Sequence, residues 1–166
     1  MARPMTVSDS VLIAADAQSL YDEVSDPSRM GEWSPENRGA DVAEPGRPAY
    51  VGMTFVGHNK RGRARWQTRC TVTAADPGRR FEFHVHRIGV KVPVIPYSIA
   101  TWEYRFEPAD GGTLVTEVWT DGRRNWPDFV ALRFDKVATG GRTFAEFQKR
   151  NIAKTLARLK QDFESR

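Results

Sequence analysis

Glu103 and Glu117 lie in two apolar runs joined by Asp110-Gly111-Gly112, a turn that sets them on neighbouring strands. Two carboxyl groups buried close together separate into an acid and a base, because both cannot ionise in one apolar site. The alternation of Trp102, Tyr104 and Phe106 against Glu103 and Arg105 turns Glu103 outward, towards water or arginine. On the second run Leu114, Thr116 and Val118 compete with Val115, Glu117 and Trp119 for the buried side, so the facing of Glu117 stays open. Facing inward, it is a costly carboxylate and a residue of chemical interest.

His84 and His86 put both imidazoles on one strand face, the spacing with which some zinc sites present two ligands. His58 is the only other histidine, and Phe81, Phe83 and Val85 claim the opposite side for burial. Exposed histidines and no metal are expected. Lys60, Arg61, Arg63, Arg65 and Arg69 around Trp66 mix cations with an aromatic as nucleic-acid binders do. Gly62 marks a hairpin tip there, where solvated charge is the default and guards strand edges, so no nucleic-acid partner is expected. Gly52 to Gly57 matches half of a phosphate loop, but His58-Asn59 stands where lysine and a hydroxyl are required. No G-x-S-x-G, H-E-x-x-H or G-x-G-x-x-G occurs, Cys70 alternates with Thr68 and Val72 as inert packing, and no cofactor is expected.

The elements that must position these residues follow from periodicity. Residues 1–4 are expected to be loose, and 6–14 read as a strand. Asp16 caps a helix over 17–25 with Leu20, Tyr21 and Val24 on one face, and Asp26-Pro27 opens a second short helix, 27–33. From residue 36 to 120 the period is two, with strands at 40–43, 54–59, 65–74, 80–88, 99–106 and 113–120. Residues 127–134 admit a short helix. The strongest helical signal is 143–163, where Thr143 and Glu146 form a capping box and Ala145, Ile152, Leu156, Leu159 and Phe163 make one stripe. Phe144, Gln148, Asn151 and Thr155 flank that stripe, as a rim at the solvent boundary or as the sparse polar groups of a ligand site.

At 166 residues the chain is one domain's worth, read as a single domain, 1–166. Its 40% hydrophobic and 28% charged residues are those of a soluble globular protein rather than a disordered or membrane chain. The net charge of +4 is mildly basic. One cysteine excludes an internal disulfide and a multi-thiolate zinc site and suits a reducing, cytoplasmic setting. No apolar run approaches the ~20 residues of a transmembrane segment. Oligomeric state is not encoded in any pattern, and a homodimer stays open.

Three stretches carry a resemblance. They are Ala15-Asp16-Ala17 through Val24-Ser25-Asp26-Pro27 with Arg29 to Pro35; Thr101 to Pro108 with Gly111-Gly112-Thr113; and Thr155-Leu156-Ala157-Arg158-Leu159-Lys160. With the order strand, two short helices, antiparallel meander and long amphipathic helix, the chain resembles the START-like superfamily of bacterial polyketide cyclase/dehydrase and lipid-transport proteins, relatives of the birch-pollen allergen type. The resemblance implies an α+β helix-grip fold, a curved antiparallel sheet wrapped around the C-terminal helix with an apolar cavity between them. It also implies a hydrophobic small-molecule or lipid ligand. The lining would come from Trp66, Thr68, Phe81, Phe83, Trp102 and Tyr104 on the sheet and Phe144, Gln148, Ile152 and Thr155 on the helix. The alternative is a cyclase/dehydratase-type enzyme in which Glu117 or Tyr104 moves protons on a carbonyl substrate. A third class is a regulatory or assembly module without ligand. No compact acid, base and oxyanion set is visible, which ranks binding ahead of catalysis.

Overall fold

Side-chain caps decide where this chain turns from strand to helix. In the computed structural model, which describes residues 2–166, β1 (Thr6–Ile13) leads to Asp16, whose carboxylate accepts from the Ser19 backbone N–H at 2.9 Å and starts α1 (Ala17–Val24). Asp26 does the same for Ser28 at 3.0 Å, with Pro27 in the first turn, but the segment Pro27–Glu32 winds as a 3-10 helix. Six strands follow: β2 (Asn37–Val42), β3 (Thr54–Arg61), β4 (Ala64–Asp76), β5 (Arg80–Gly89), β6 (Ile95–Ala109) and β7 (Gly112–Asp121).

These strands form one antiparallel sheet in the order β1-β7-β6-β5-β4-β3-β2, so β2 to β7 are a meander and β1 returns beside β7. The expected strands are all present with altered ends. β6 begins at Ile95 instead of 99, because beyond an irregularity near Val85 its pairing continues to Ile88 opposite Ile95. Further irregularities interrupt β4 against β5 at Arg69/Cys70 and Val72/Ala74; such bulges bend a strand and raise its twist.

Helix α2 (Asp128–Thr139) is longer than the 127–134 expected and stops at Gly140, whose φ of 73° lies in the left-handed region that favours glycine. Helix α3 (Phe144–Glu164) starts at the capping box foreseen: Glu146 N–H donates to Thr143 Oγ1 at 3.2 Å and Thr143 N–H to Glu146 Oε2 at 3.0 Å. Its stripe of Ala145, Ile152, Leu156, Leu159 and Phe163 packs on Phe55, Val72, Phe81, Phe106, Val115 and Trp119 of the sheet. Each fully buried leucine there contributes ~1.5–3 kcal/mol.

The chain start departs from expectation. Met1 lies outside the described residues, but Arg3 is buried, because its guanidinium is used by partners near the end of β7 and the start of α2.

Candidate functional site

Strand β7 buries Thr113, Val115, Glu117, Trp119 and Asp121 and half-exposes the residues between them. This decides the ambiguous strand: Glu117 faces α3. The register sets Tyr104 of β6 directly opposite it, with the pairs Phe106–Val115 and Trp102–Trp119 on either side. Tyr104 donates its hydroxyl to Glu117 Oε1 at 2.7 Å, while Glu117 Oε2 is buried with no partner among the described residues. Burial pushes the Glu117 carboxyl up to about 8, the Tyr104 hydrogen bond only partly opposing it. Burial, and then the adjoining Glu117 charge and hydrogen bond, raise the Tyr104 hydroxyl well above the usual phenol range. The arrangement is a buried acid poised near neutrality beside a phenol that stays protonated.

The paired-carboxylate expectation fails on register. Glu103 pairs with Val118, on the opposite side of the sheet from Glu117. There it meets Arg80 Nε at 2.6 Å and Arg105 Nε at 2.5 Å, and these cations cover it so well that it is buried on an outward face.

The rim reading of the α3 edge also fails. Gln148, Asn151 and Thr155 are buried beneath the helix, which is possible because they satisfy one another. Thr155 Oγ1 donates to the Asn151 carbonyl at 3.0 Å, and Asn151 Nδ2 donates to Gln148 Oε1 at 3.3 Å. Of the other residues named for the cavity, Trp66, Thr68, Trp102, Tyr104 and Phe144 are half-buried and keep accessible surface, and Phe83 keeps little. Phe81 and Ile152 keep none; they are core residues with no surface to offer a ligand.

The histidines face away from this side. His86 Nε2 lies 2.8 Å from Thr71 Oγ1 and His84 Nδ1 3.2 Å from Thr101 Oγ1. Among the described residues no three ligating side chains gather as a metal site. Cys70 is buried, and burial pushes its thiol up to about 12, so it is inert at neutral pH. A surface groove of about 420 Å³ runs between β1 and α3, lined by Asp9, Val11, Leu156 and Lys160, and contains none of the cavity candidates.

Two features escape a reading of the sequence. Arg61 is not a solvated charge at the hairpin tip. Its guanidinium lies 4.1 Å from the Phe147 ring centroid and 5.4 Å from that of Trp66, and it donates to Glu36 Oε1 at 2.5 Å and to the Ala138 carbonyl at 2.9 Å. It thereby fastens the β3–β4 hairpin to α2 and to the start of α3. The second feature is a buried network. Arg123 binds Asp121 Oδ2 at 2.7 Å and Asp135 Oδ1 at 2.7 Å, Arg3 approaches Asp121 at 3.4 Å, and Asp135 Oδ2 accepts from the Phe144 backbone N–H at 3.0 Å. The only sequence signal for it is that Asp121 continues the buried phase of β7.

The fold so assembled, a curved sheet gripping one long helix, resembles known proteins over nearly the whole chain. The sequence model of the polyketide cyclase / dehydrase and lipid transport family fits residues 4–164. The chain belongs to this family. A polyketide-cyclase-like protein of Corynebacterium glutamicum, solved by NMR, is 30% identical, with 99% of this chain and 94% of that one covered and a TM-score of 0.58. A START superfamily protein of Mycobacterium smegmatis is 14% identical over 98% and 99% of the two chains, TM-score 0.67. One half of the di-domain aromatase/cyclase StfQ of the steffimycin biosynthetic pathway is also similar, at 14% identity, 97% and 51% coverage and TM-score 0.68. At 14% identity these last two show the shared helix-grip fold alone. Among curated proteins none matches. For this polyketide cyclase/dehydrase family member, no helix of the described residues is long and apolar enough to cross a membrane.

Proposed function

We propose that the chain acts as one ligand-binding domain that takes up a hydrophobic small molecule or lipid between the sheet and α3. The observation that carries this is the state of Trp66, Trp102, Tyr104 and Phe144, which keep accessible surface although α3 covers the sheet. In a closed core such rings bury almost wholly, as Trp119 and Phe81 do. Rings left open provide area whose removal from water contributes ~25 cal/mol per Å². An apolar wall with few polar groups is the usual composition of a small-molecule site. The lipid-transport half of the family's description supports the ligand class. The single cysteine is free and buried, so nothing calls for oxidising surroundings, and we place the protein in the cytoplasm.

Native mass spectrometry of the purified protein tests this reading. An apolar molecule should leave with the protein and be released on denaturation. A protein that carries nothing and takes up neither fatty acids nor aromatic ketones in titration would sink it.

A second reading, catalysis on a carbonyl substrate, is favoured by one observation: the 2.7 Å Tyr104–Glu117 hydrogen bond, with an acid whose pKa of about 8 suits proton transfer near neutrality. Turnover of the identified ligand by the native protein, lost in Glu117→Gln, would establish it.

A further inference from the structure

We propose that Glu117 meets the bound molecule as a neutral carboxylic acid that donates its Oε2 proton to a carbonyl oxygen, selecting apolar ligands that carry a ketone, ester or quinone. The proposal rests on the ligand-binding reading above and names the chemistry of the ligand. Glu117 Oε1 is already occupied by the Tyr104 hydroxyl, and Oε2 has no partner among the described residues. A buried polar atom left unpaired costs about 1–3 kcal/mol, and such a cost in a folded protein calls for an explanation. A partner arriving with the ligand supplies one.

The surroundings decide what that partner is. Among the described residues no cation pairs with Glu117. Its neighbours on its own side of β7 are Val115 and Trp119, and β6 presents Trp102, Tyr104 and Phe106. Opposite it on β1 stands Asp9, which is exposed; the buried polar residues of α3, Gln148, Asn151 and Thr155, are uncharged, and Lys160 of α3, which lines the surface groove with Asp9, donates to the Leu12 carbonyl and to Glu164. The buried guanidiniums of Arg3 and Arg123 are held by Asp121, the last residue of β7, and that of Arg123 also by Asp135 of α2. Buried with no counter-charge, the carboxyl keeps its proton. Because Tyr104 spends its own proton on Oε1, the pair offers the ligand one O–H donor, and an acceptor oxygen complements it.

Matched probes that differ only in the carbonyl test this on the full chain: tetralin against 1-tetralone, and fluorene against 9-fluorenone, in NMR titrations at pH 6. The ratio of ketone to hydrocarbon affinity should be about fivefold to tenfold higher in the native protein than in Glu117→Leu. Glu117→Gln, which keeps a neutral donor, should retain the native ratio. Raising the pH past 8 should lower the ratio in the native protein and leave it constant in Glu117→Gln, an arm that stands even if Glu117→Leu fails to fold. Equal ratios in all variants at every pH, with binding intact, overturn the donor role and leave the cavity standing. Preference for 2-aminotetralin over 1-tetralone overturns it in favour of a carboxylate. Failure of both probe sizes to bind overturns cavity and donor together.

Discussion

Strand β7 buries two carboxyl groups four residues apart on one face, and they obey opposite rules. Asp121 accepts from Arg123 through Nε at 2.9 Å, Nη2 at 2.7 Å and the backbone N–H at 2.9 Å, and from Arg3 at 3.4 Å. Glu117 accepts from one phenol. Burial works to raise both. At Asp121 the hydrogen bonds and charge of Arg123, with the charge of Arg3, outweigh it and hold the group below its ordinary 3.8; at Glu117 only Tyr104 opposes it, and the group rises to about 8. Burial alone therefore does not set a carboxyl group's role. Counter-charge makes Asp121 a clamp, and its absence leaves Glu117 free for other chemistry.

The largest effect should come from breaking the clamp. Arg123→Met leaves buried Asp121 with Arg3 as its one cation and buried Asp135 with none, and releases a group that ties α2 to the sheet's end. Removing one partner of a buried pair costs about 3–5 kcal/mol, so urea unfolding at pH 7 should show a loss of that order. A loss below about 1 kcal/mol would mean that the network is solvated in solution, and the contrast with Glu117 would collapse.

The same contrast marks what sequence reading can reach. The strands over 65–88 and the α3 stripe are legible because apolar residues repeat at two and at 3.6, and both periods survive into the structure. The facing of Glu117 is not legible, since Leu114 and Val118 are as apolar as Val115 and Trp119; only the register fixed through the Gly111-Gly112 turn settles it. Gln148, Asn151 and Thr155 look like a boundary because the hydrogen bonds that let them be buried join helical neighbours and leave no apolar signature. Arg3 reads as part of a loose end and Arg61 as solvated because their partners lie far along the chain, Asp121 and Ala138 being 118 and 77 residues away. Local pattern reports burial of apolar groups well and burial of paired charges hardly at all.

A middle-sized effect separates the two carboxyls by pH. Asp121, whose pKa is lowered by folding, contributes stability that is full above the ordinary aspartate range and is lost as acid protonates it. Glu117 has the opposite sign. Its folded pKa of about 8 lies above the ordinary 4.5, so the unfolded chain holds fewer protons between those values and stability falls as pH rises through that window. Glu117→Gln removes this penalty. The variant should match the native protein within about 1 kcal/mol at pH 5 and exceed it by a few kcal/mol at pH 9, in melts run at both. A difference independent of pH would show Glu117 to be ionised and solvated throughout.

The smallest effect should come from Tyr104→Phe, and its smallness is informative. In the clamp, loss of a donor uncovers a charge; here it uncovers an oxygen of a neutral acid, so the cost at pH 6 should be about 1 kcal/mol rather than several. The Tyr104 hydrogen bond is the one influence that lowers the Glu117 pKa, so its removal should move the titration of Glu117 upward from about 8, visible by following the side-chain carboxyl carbon in NMR. An unchanged or lower midpoint in Tyr104→Phe would mean that water or another donor replaces the phenol at Oε1. The carboxyl would then be no more isolated than Asp121, with its partners supplied by solvent in place of arginine.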